Sequence, residues 1–296
     1  KLSNQNIKNL KIPALNYLFK RVDNKKRADI EFEIELEDKT TRWVLGSMNT
    51  SKTTGDYILV VHDITQLRQL NSMRRDFISN LSHELRTPVS VIRANSETLL
   101  DGALDNKKEA KTFARAILHN SERLSVMVAD LIDLSRIEYG DLKLNIKKID
   151  LISFMDDFVT SMKSVTKKKE IEIIFKSNHY DFVKADPQAL ERIMNNLVDN
   201  AFKYSEKGSI IEISTITEHQ HVKVMVSDSG VGVSDEDKSH IFDRFYRTAS
   251  ARASDNKGSG LGLAIVKNLT NSLNGEVGVE SKNVTGSIFW FTLPID

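Results

Sequence analysis

The 296-residue chain contains no cysteine, which excludes disulfides and thiolate metal centres and fits a reducing cytosol. It has no run of the ~18–20 apolar residues needed to cross a bilayer, and no signal peptide is visible in it. It also lacks an excess of either charge: 42 Lys and Arg against 41 Asp and Glu give a net charge of +1. Basic residues are spread along the chain, and the run Lys167-Lys168-Lys169 reads as a solvated loop, so no nucleic acid is expected as a partner. The remaining composition, 40% hydrophobic and 28% charged, is that of an ordinary globular protein long enough for two or three domains. The chain opens on Lys1 without an initiator methionine, and it is expected to be an excised piece of something longer.

The hydrophobic pattern changes period twice. Between residues 1 and 65, Ile30, Phe32, Ile34 and Leu36 alternate with charged residues, the mark of a half-buried strand. Arg42–Met48 and Tyr57–His62 are two further strand candidates, separated by a polar turn from Asn49 to Asp56. From residue 66 the period becomes helical. Leu67, Leu70, Phe77, Leu81, Leu85, Ile92 and Leu99 form one stripe to about residue 100. Pro88, inside that stretch, is expected to bend or loosen the helix. Turn chemistry at Asp101–Asn106 precedes a second helix, Lys107–Tyr139, with a stripe of Phe113, Ile117, Leu124, Val128, Leu131 and Ser135 and a stop at Gly140. Two such helices make an antiparallel hairpin, and two hairpins bury their stripes as a four-helix bundle, so a homodimer is expected. The alternative is that the stripes pack on other parts of the same chain. Residues 143–296 read as an α/β sandwich. Helices are expected at Leu151–Val165, Pro187–Tyr204 and Leu261–Leu273. Strands are expected at Ile171–Phe175, Ile210–Thr217, Val222–Asp228, Glu276–Glu280 and Ser287–Leu293, in a mostly antiparallel sheet with helices on one face.

Several residues stand out against this frame. His83 lies two positions from both Leu81 and Leu85, about 200° around the helix from the stripe, so its ring should face water. Glu84 adjoins it and Thr87 follows one turn later. An exposed imidazole beside a carboxylate suits a nucleophile whose proton the acid can take. The other six histidines have no such setting and read as structural or surface residues. In the last third, Asp186-Pro187 opens a helix as N-cap and first residue. Asn196, Asn200 and Lys203 share one side of it, where amide oxygens suit Mg²⁺ and the ammonium suits phosphate. Asp228-Ser-Gly230-Val-Gly232 follows a strand, and its glycines allow a ligand close to the backbone. Ile241–Arg247 anchors through Phe242 and Phe245. Gly258-Ser-Gly260-Leu261-Gly262 opens a helix whose N-terminus favours phosphate. Thr248–Lys257, small and polar, reads as a mobile lid.

The segment Phe77–Pro88 resembles the phosphoacceptor box of the sensor histidine kinases of bacterial two-component systems. Asn196–Ser205, Asp228–Gly232, Ile241–Arg247 and Gly258–Leu263 resemble, in the family's order, the N, G1, F and G2 boxes of the Bergerat ATP-binding fold. The style is closest to the phosphate-regulon and cell-wall sensor kinases. The resemblance implies a multidomain fold. It comprises a PAS-like α+β remnant (1–65), in which the strand ending in Asp63-Ile64-Thr65 and running into a helix resembles the exit of a PAS sensor domain, a dimerising, phosphotransfer helical hairpin (66–142), and an ATP-binding α/β sandwich of the Bergerat type (143–296). A generic antiparallel sheet is the alternative for residues 1–65.

The activity implied is ATP-dependent autophosphorylation of His83, with Glu84 as base, followed by transfer to an aspartate of a response-regulator receiver domain. A reverse phosphatase activity would use Thr87. ATP and Mg²⁺ are the implied cofactors. Asn200 and Asn196 would hold the metal, Lys203 and the glycines the phosphates, Asp228 the adenine, and Arg247 the γ-phosphate. Tyr204 and Leu261, inside the same boxes, join the cofactor site. The implied setting is the cytoplasmic portion of a membrane sensor whose anchor lies outside these residues. The spacing leaves open whether transfer runs within or across subunits, which the hairpin turn decides. Two rivals remain: another ATPase of the same nucleotide fold, and a non-catalytic dimeric scaffold.

Overall fold

The structure is a computed structural model that describes residues 13–25, 27–36, 38–50, 56–138, 141–177, 182–253, 258–282 and 286–296. Residues 51–55 of the expected polar turn, the expected stop at Gly140 and residues 254–257 of the expected lid lie outside the described residues. The chain divides into two compact units, Lys1–Ser79 and Asn80–Asp296.

In the first unit, helix α1 (Pro13–Lys25) precedes three antiparallel strands, β1 (Arg27–Glu35), β2 (Thr41–Thr50) and β3 (Tyr57–Asp63), in the order β1-β2-β3. Helix α1 was not anticipated. It buries Leu15, Leu18 and Val22 against Ala28 of β1 and Met48 of β2. The alternation of Ile30, Phe32 and Ile34 is that of β1, with Ile30 opposite Gly46 and Phe32 opposite Val44. Leu36 falls just past the strand and is exposed. Strand β3 hands over to the next helix through Asp63, whose Oδ1 accepts a hydrogen bond from Thr65 N at 2.9 Å. Trp43 N donates to Thr65 Oγ1 at 2.9 Å, and the Arg68 guanidinium lies 3.8 Å from the centre of a Trp43 ring. The first turn of that helix is thereby tied to β2.

Helix α2 (Thr65–Leu100) runs through Pro88 without a break, and Pro88 is its one buried residue. The proline deprives the Glu84 carbonyl of its helical donor, but one lost bond does not end a helix whose ring is packed away from water. Gly102, at φ 119°, leads into a 3-10 turn at Ala103–Asp105. Asn106 then caps helix α3 (Lys107–Glu138), accepting from Lys108 N at 3.0 Å. The expected α3 stripe is incomplete. Met127 and Leu134 are fully buried and Asn120 nearly so, whereas Val128 and Ser135 are exposed. Adjacent positions on a helix differ by about 100°, so α3 carries a further apolar flank beside the expected stripe. Helix α3 also packs along helix α9 (Gly262–Ser272).

The rest of the second unit is a five-stranded sheet with helices on one face. The strands are β5 (Glu172–Lys176), β7 (Ile210–Glu218), β8 (His221–Ser227), β9 (Val277–Ser281) and β10 (Ser287–Pro294), ordered β5-β7-β8-β10-β9. Only the β5–β7 pair is parallel. Alternate residues Ile211 and Ile213, Val222 and Val224, and Phe291 and Leu293 are buried, as are Leu190, Ile193, Met194 and Leu197 of helix α6 (Pro187–Tyr204). Each fully buried side chain of this size contributes about 1.5–3 kcal/mol. A separate short pair, β4 (Lys147–Asp150) with β6 (Phe182–Ala185), was not anticipated. The expected helix Leu151–Val165 is two helices, α4 (Leu151–Ser161) and α5 (Lys163–Lys169). Met162 N bonds back to both Phe158 O and Val159 O at 3.2 Å, a tightened last turn that separates them. Lys167 is exposed as expected, but the lysine run lies on α5 rather than in a loop. Among the described residues there are also two short helices, α7 (Asp235–Lys238) and α8 (Ala249–Ala253). Ile241–Phe245 is a series of turns.

Candidate nucleotide site and phosphoacceptor

Helix α6 starts where its caps dictate. Asp186 Oδ1 accepts from Gln188 N at 2.8 Å and Ala189 N at 3.0 Å, and Pro187 is the first helical residue. The second carboxylate oxygen of Asp186 accepts from Asn145 N at 2.6 Å, which pins the segment that leaves α3. With its apolar stripe on the sheet, α6 turns Asn196, Asn200, Lys203 and Tyr204 to a cavity of about 430 Å³. Asp228, Gly232, Arg247, Gly258, Gly260 and Gly262 line the same cavity. Four segments far apart in sequence therefore share one site.

Asp228 sits just past β8 and is 4% exposed. Its Oδ1 accepts from Gly230 N at 2.8 Å and Ser287 N at 3.2 Å. Burial pushes its carboxyl above the ordinary aspartate range, and those two amides together with the Lys282 charge work against the rise. Gly230 itself is behind the cavity wall. A Cβ there would lie 2.6 Å from the Tyr204 carbonyl oxygen, so only glycine lets this turn close on the end of α6. Asn196 Nδ2 donates to Arg192 O at 2.8 Å. Its Oδ1 faces Gly262, where an added Cβ would be 2.7 Å away. Lys203 Nζ lies 2.6 Å from an Asp199 carboxylate oxygen. The Arg247 guanidinium donates to the Ala251 carbonyl and braces α8 at the rim. Leu261 does not line the cavity. Its side chain is 0% exposed and its amide meets Ser259 Oγ at 3.3 Å, so it seats the start of α9 instead. Among the described residues no group of three His, Asp or Glu side chains could hold a metal. The amide oxygens of α6 nevertheless fit Mg²⁺, a hard ion that keeps waters and phosphate oxygens and needs only one or two protein ligands.

The opposite wall was not legible in the sequence. It is α3, through His119, Glu122, Arg123, Val126, Met127 and Asp130. His119, read from the sequence as structural or surface, therefore faces the cavity. Arg192 of α6 clamps this wall, with nitrogen atoms 2.9 Å from Asp130 and 2.6 Å from Asp133. Burial raises the Asp130 carboxyl, and the Arg192 charge opposes that rise while Asp133 adds to it. Arg123 donates to Glu84 Oε2 of α2 at 3.1 Å, a half-buried ion pair. His83, beside Glu84, is exposed, as is Thr87, whose hydroxyl donates to the His83 carbonyl at 3.3 Å.

Residues 73–140 match the His Kinase A (phospho-acceptor) domain. Residues 185–296 match the histidine kinase-, DNA gyrase B- and HSP90-like ATPase domain. The second match alone admits several ATPases; the two together do not. The chain belongs to the sensor histidine kinases. Among its relatives, the sensor-like histidine kinase SenX3 of Mycobacterium tuberculosis is 35% identical over 237 residues, 80% of this chain and 58% of SenX3. The sensor histidine kinase WalK of Bacillus subtilis is 33% identical over 240 residues, 80% of this chain and 39% of WalK. This histidine kinase chain thus matches little more than half the length of SenX3 and less of WalK. Its fold is similar to that of full-length ShkA in complex with AMPPNP, with a TM-score of 0.55 and 27% identity over 74% of this chain and 46% of that one.

Proposed function

We propose that the chain autophosphorylates His83 from ATP and passes the phosphoryl group to an aspartate of a response-regulator receiver domain. One observation carries this reading. The residues of four separate boxes line one cavity, and Arg123 in its far wall holds the acid next to an exposed histidine. The likeness to ShkA, whose structure holds AMPPNP, supports a nucleotide in that cavity.

Asp228 accepts from the adenine amino group. Lys203 and the backbone around Gly258, Gly260 and Gly262 meet the phosphates at the N-terminus of α9. Mg²⁺, held by Asn200 and Asn196, supplies charge neutralisation when bound. Arg247, with five donors on its guanidinium, steadies the γ-phosphate from the rim. Phosphoryl transfer needs in-line placement and charge stabilisation more than covalent help. Glu84 takes the imidazole proton, and Thr87 orients water for the reverse, phosphatase reaction on the regulator.

We read residues 1–65 as a compact PAS-like input module, 66–142 as the dimerising hairpin and 143–296 as the ATP-binding domain. The homodimer reading is supported by apolar side chains left exposed along the hairpin, among them Leu67 at 58% and Leu70 at 61%. The use of ATP supports a cytoplasmic setting for the reaction. No described helix is long and apolar enough to cross a membrane. The test is His83→Gln. ATP binding should persist while labelling from γ-labelled ATP, acid-labile and base-stable in the wild type, disappears. Persistent labelling would remove His83 as the acceptor.

A further inference from the structure

We infer that Lys282 is a positioning residue for base recognition: its ammonium fixes the peptide that carries Asp228 and so gives the site its preference for a purine with a 6-amino group. The inference rests on the reading of Asp228 as the group that meets adenine, and deepens it.

Asp228 lies where β8 ends and the glycine turn begins, and it is held at several points. Its backbone N donates to Ser287 O at 2.9 Å. Its Oδ1 accepts from Gly230 N at 2.8 Å and from Ser287 N at 3.2 Å. Its carbonyl oxygen belongs to a residue that is 4% exposed, and a buried carbonyl needs a donor. Lys282, the residue directly after β9, supplies it: its Nζ donates to Asp228 O at 2.8 Å across 54 positions of sequence. Gly286 makes room for that carbonyl, since a Cβ there would stand 2.1 Å from the oxygen. Lys282 is not among the residues that line the nucleotide cavity. It therefore acts on a nucleotide through Asp228 rather than by contact.

The ammonium acts on the carboxylate as well as on the peptide. Burial favours the neutral acid, and the Lys282 charge opposes that. The form of the acid decides what it can read. An ionised Oδ2 accepts a hydrogen bond from the amino group of adenine, which is a donor. In the neutral acid the hydrogen sits on Oδ2, because Oδ1 already faces two N–H donors, and a donor then meets a donor. Holding the peptide sets where Oδ2 stands, and holding the charge makes it an acceptor.

The experiment compares two nucleotides on the full chain with Mg²⁺: ADP, and purine riboside diphosphate, which differs from it only in lacking the 6-amino group. Diphosphates bind without turnover, so isothermal titration gives the ratio of the two dissociation constants. The wild type should prefer ADP by about tenfold or more, as one charge-assisted hydrogen bond implies. Lys282→Met keeps the length of the side chain and removes its charge and donors. In this variant the preference should fall at least about fivefold, while purine riboside diphosphate binds within about threefold of its wild-type affinity. Equal weakening of both nucleotides would overturn the inference, because a lysine that merely supports the fold affects the whole pocket. An unchanged preference would overturn it too. A wild type that binds the two nucleotides alike would instead remove Asp228 as the reader of the amino group, and the inference with it. Lys282→Arg, which keeps a cation and its donors, covers the case in which the methionine variant does not fold. It should keep the preference within about threefold, and loss of the preference there would overturn the inference.

Discussion

Asp228 combines two demands that oppose each other. On the proposed reading it is buried so as to meet a base in a dry pocket, and burial makes its charge costly. Its Oδ1 is already committed to the Gly230 and Ser287 amides, which leaves the other oxygen for a ligand. Asn at this position keeps the carbonyl oxygen for those amides but replaces the second acceptor with a donor. Asp228→Asn should therefore fold, and should bind ATP about ten- to a hundredfold more weakly, the equivalent of one lost charged hydrogen bond of about 1.5–3 kcal/mol. The sign of the stability effect follows from the raised carboxyl. A folded-state pKa above the unfolded one means the wild type loses stability as pH rises past the unfolded value. The variant should match the wild type in melting temperature near pH 4 and equal or exceed it near neutrality, as read by thermal shift. A variant that melts well below the wild type at neutral pH would show that the carboxylate is needed for the fold.

Among the elements, α3 departs most from its sequence reading. Periodicity marked one stripe, and the helix has further work on an adjoining flank, where Met127 and Asp130 face the ATP-binding part. Arg192 clamps that flank through Asp130, which is largely buried, and Asp133. Replacing Arg192 with Met leaves two neighbouring carboxylates without their cation, at a cost of about 1–2 kcal/mol because the arginine is partly exposed. Removing the cation raises the Asp130 carboxyl further. The penalty should therefore be present when Asp130 is ionised and fade as pH falls through its raised value, which melting curves across pH would record. A deficit independent of pH would mean the arginine acts through packing alone.

For the molecule as a whole, the exposed apolar stripe of the hairpin is what supports the proposed homodimer. Ile92 lies on the expected α2 stripe and is only half buried. Ile92→Glu should convert a dimer to monomers in sedimentation velocity, while ATP binding in the isolated cavity stays within about twofold, as expected for a surface away from the site. A variant that still sediments as a dimer would mean the interface lies elsewhere on the chain. Against this background the boundaries of α6 were readable to the residue, because Asp186, Pro187 and the apolar stripe are local signals. The outward direction of His83 was readable for the same reason. Helix α1 and the β4–β6 pair were not. The two strands are only four residues each and carry no usable period.

Local chemistry within a few turns or strands was enough to identify the boxes, the caps, the exposed imidazole and the family. It could not show that Arg123 meets Glu84, 39 positions away, that Arg192 meets Asp130, 62 positions away, or that His119 faces the nucleotide cavity. Those contacts join charged residues that any solvated helix surface carries. Their partners are chosen by how the helices pack, which no spacing along the chain encodes.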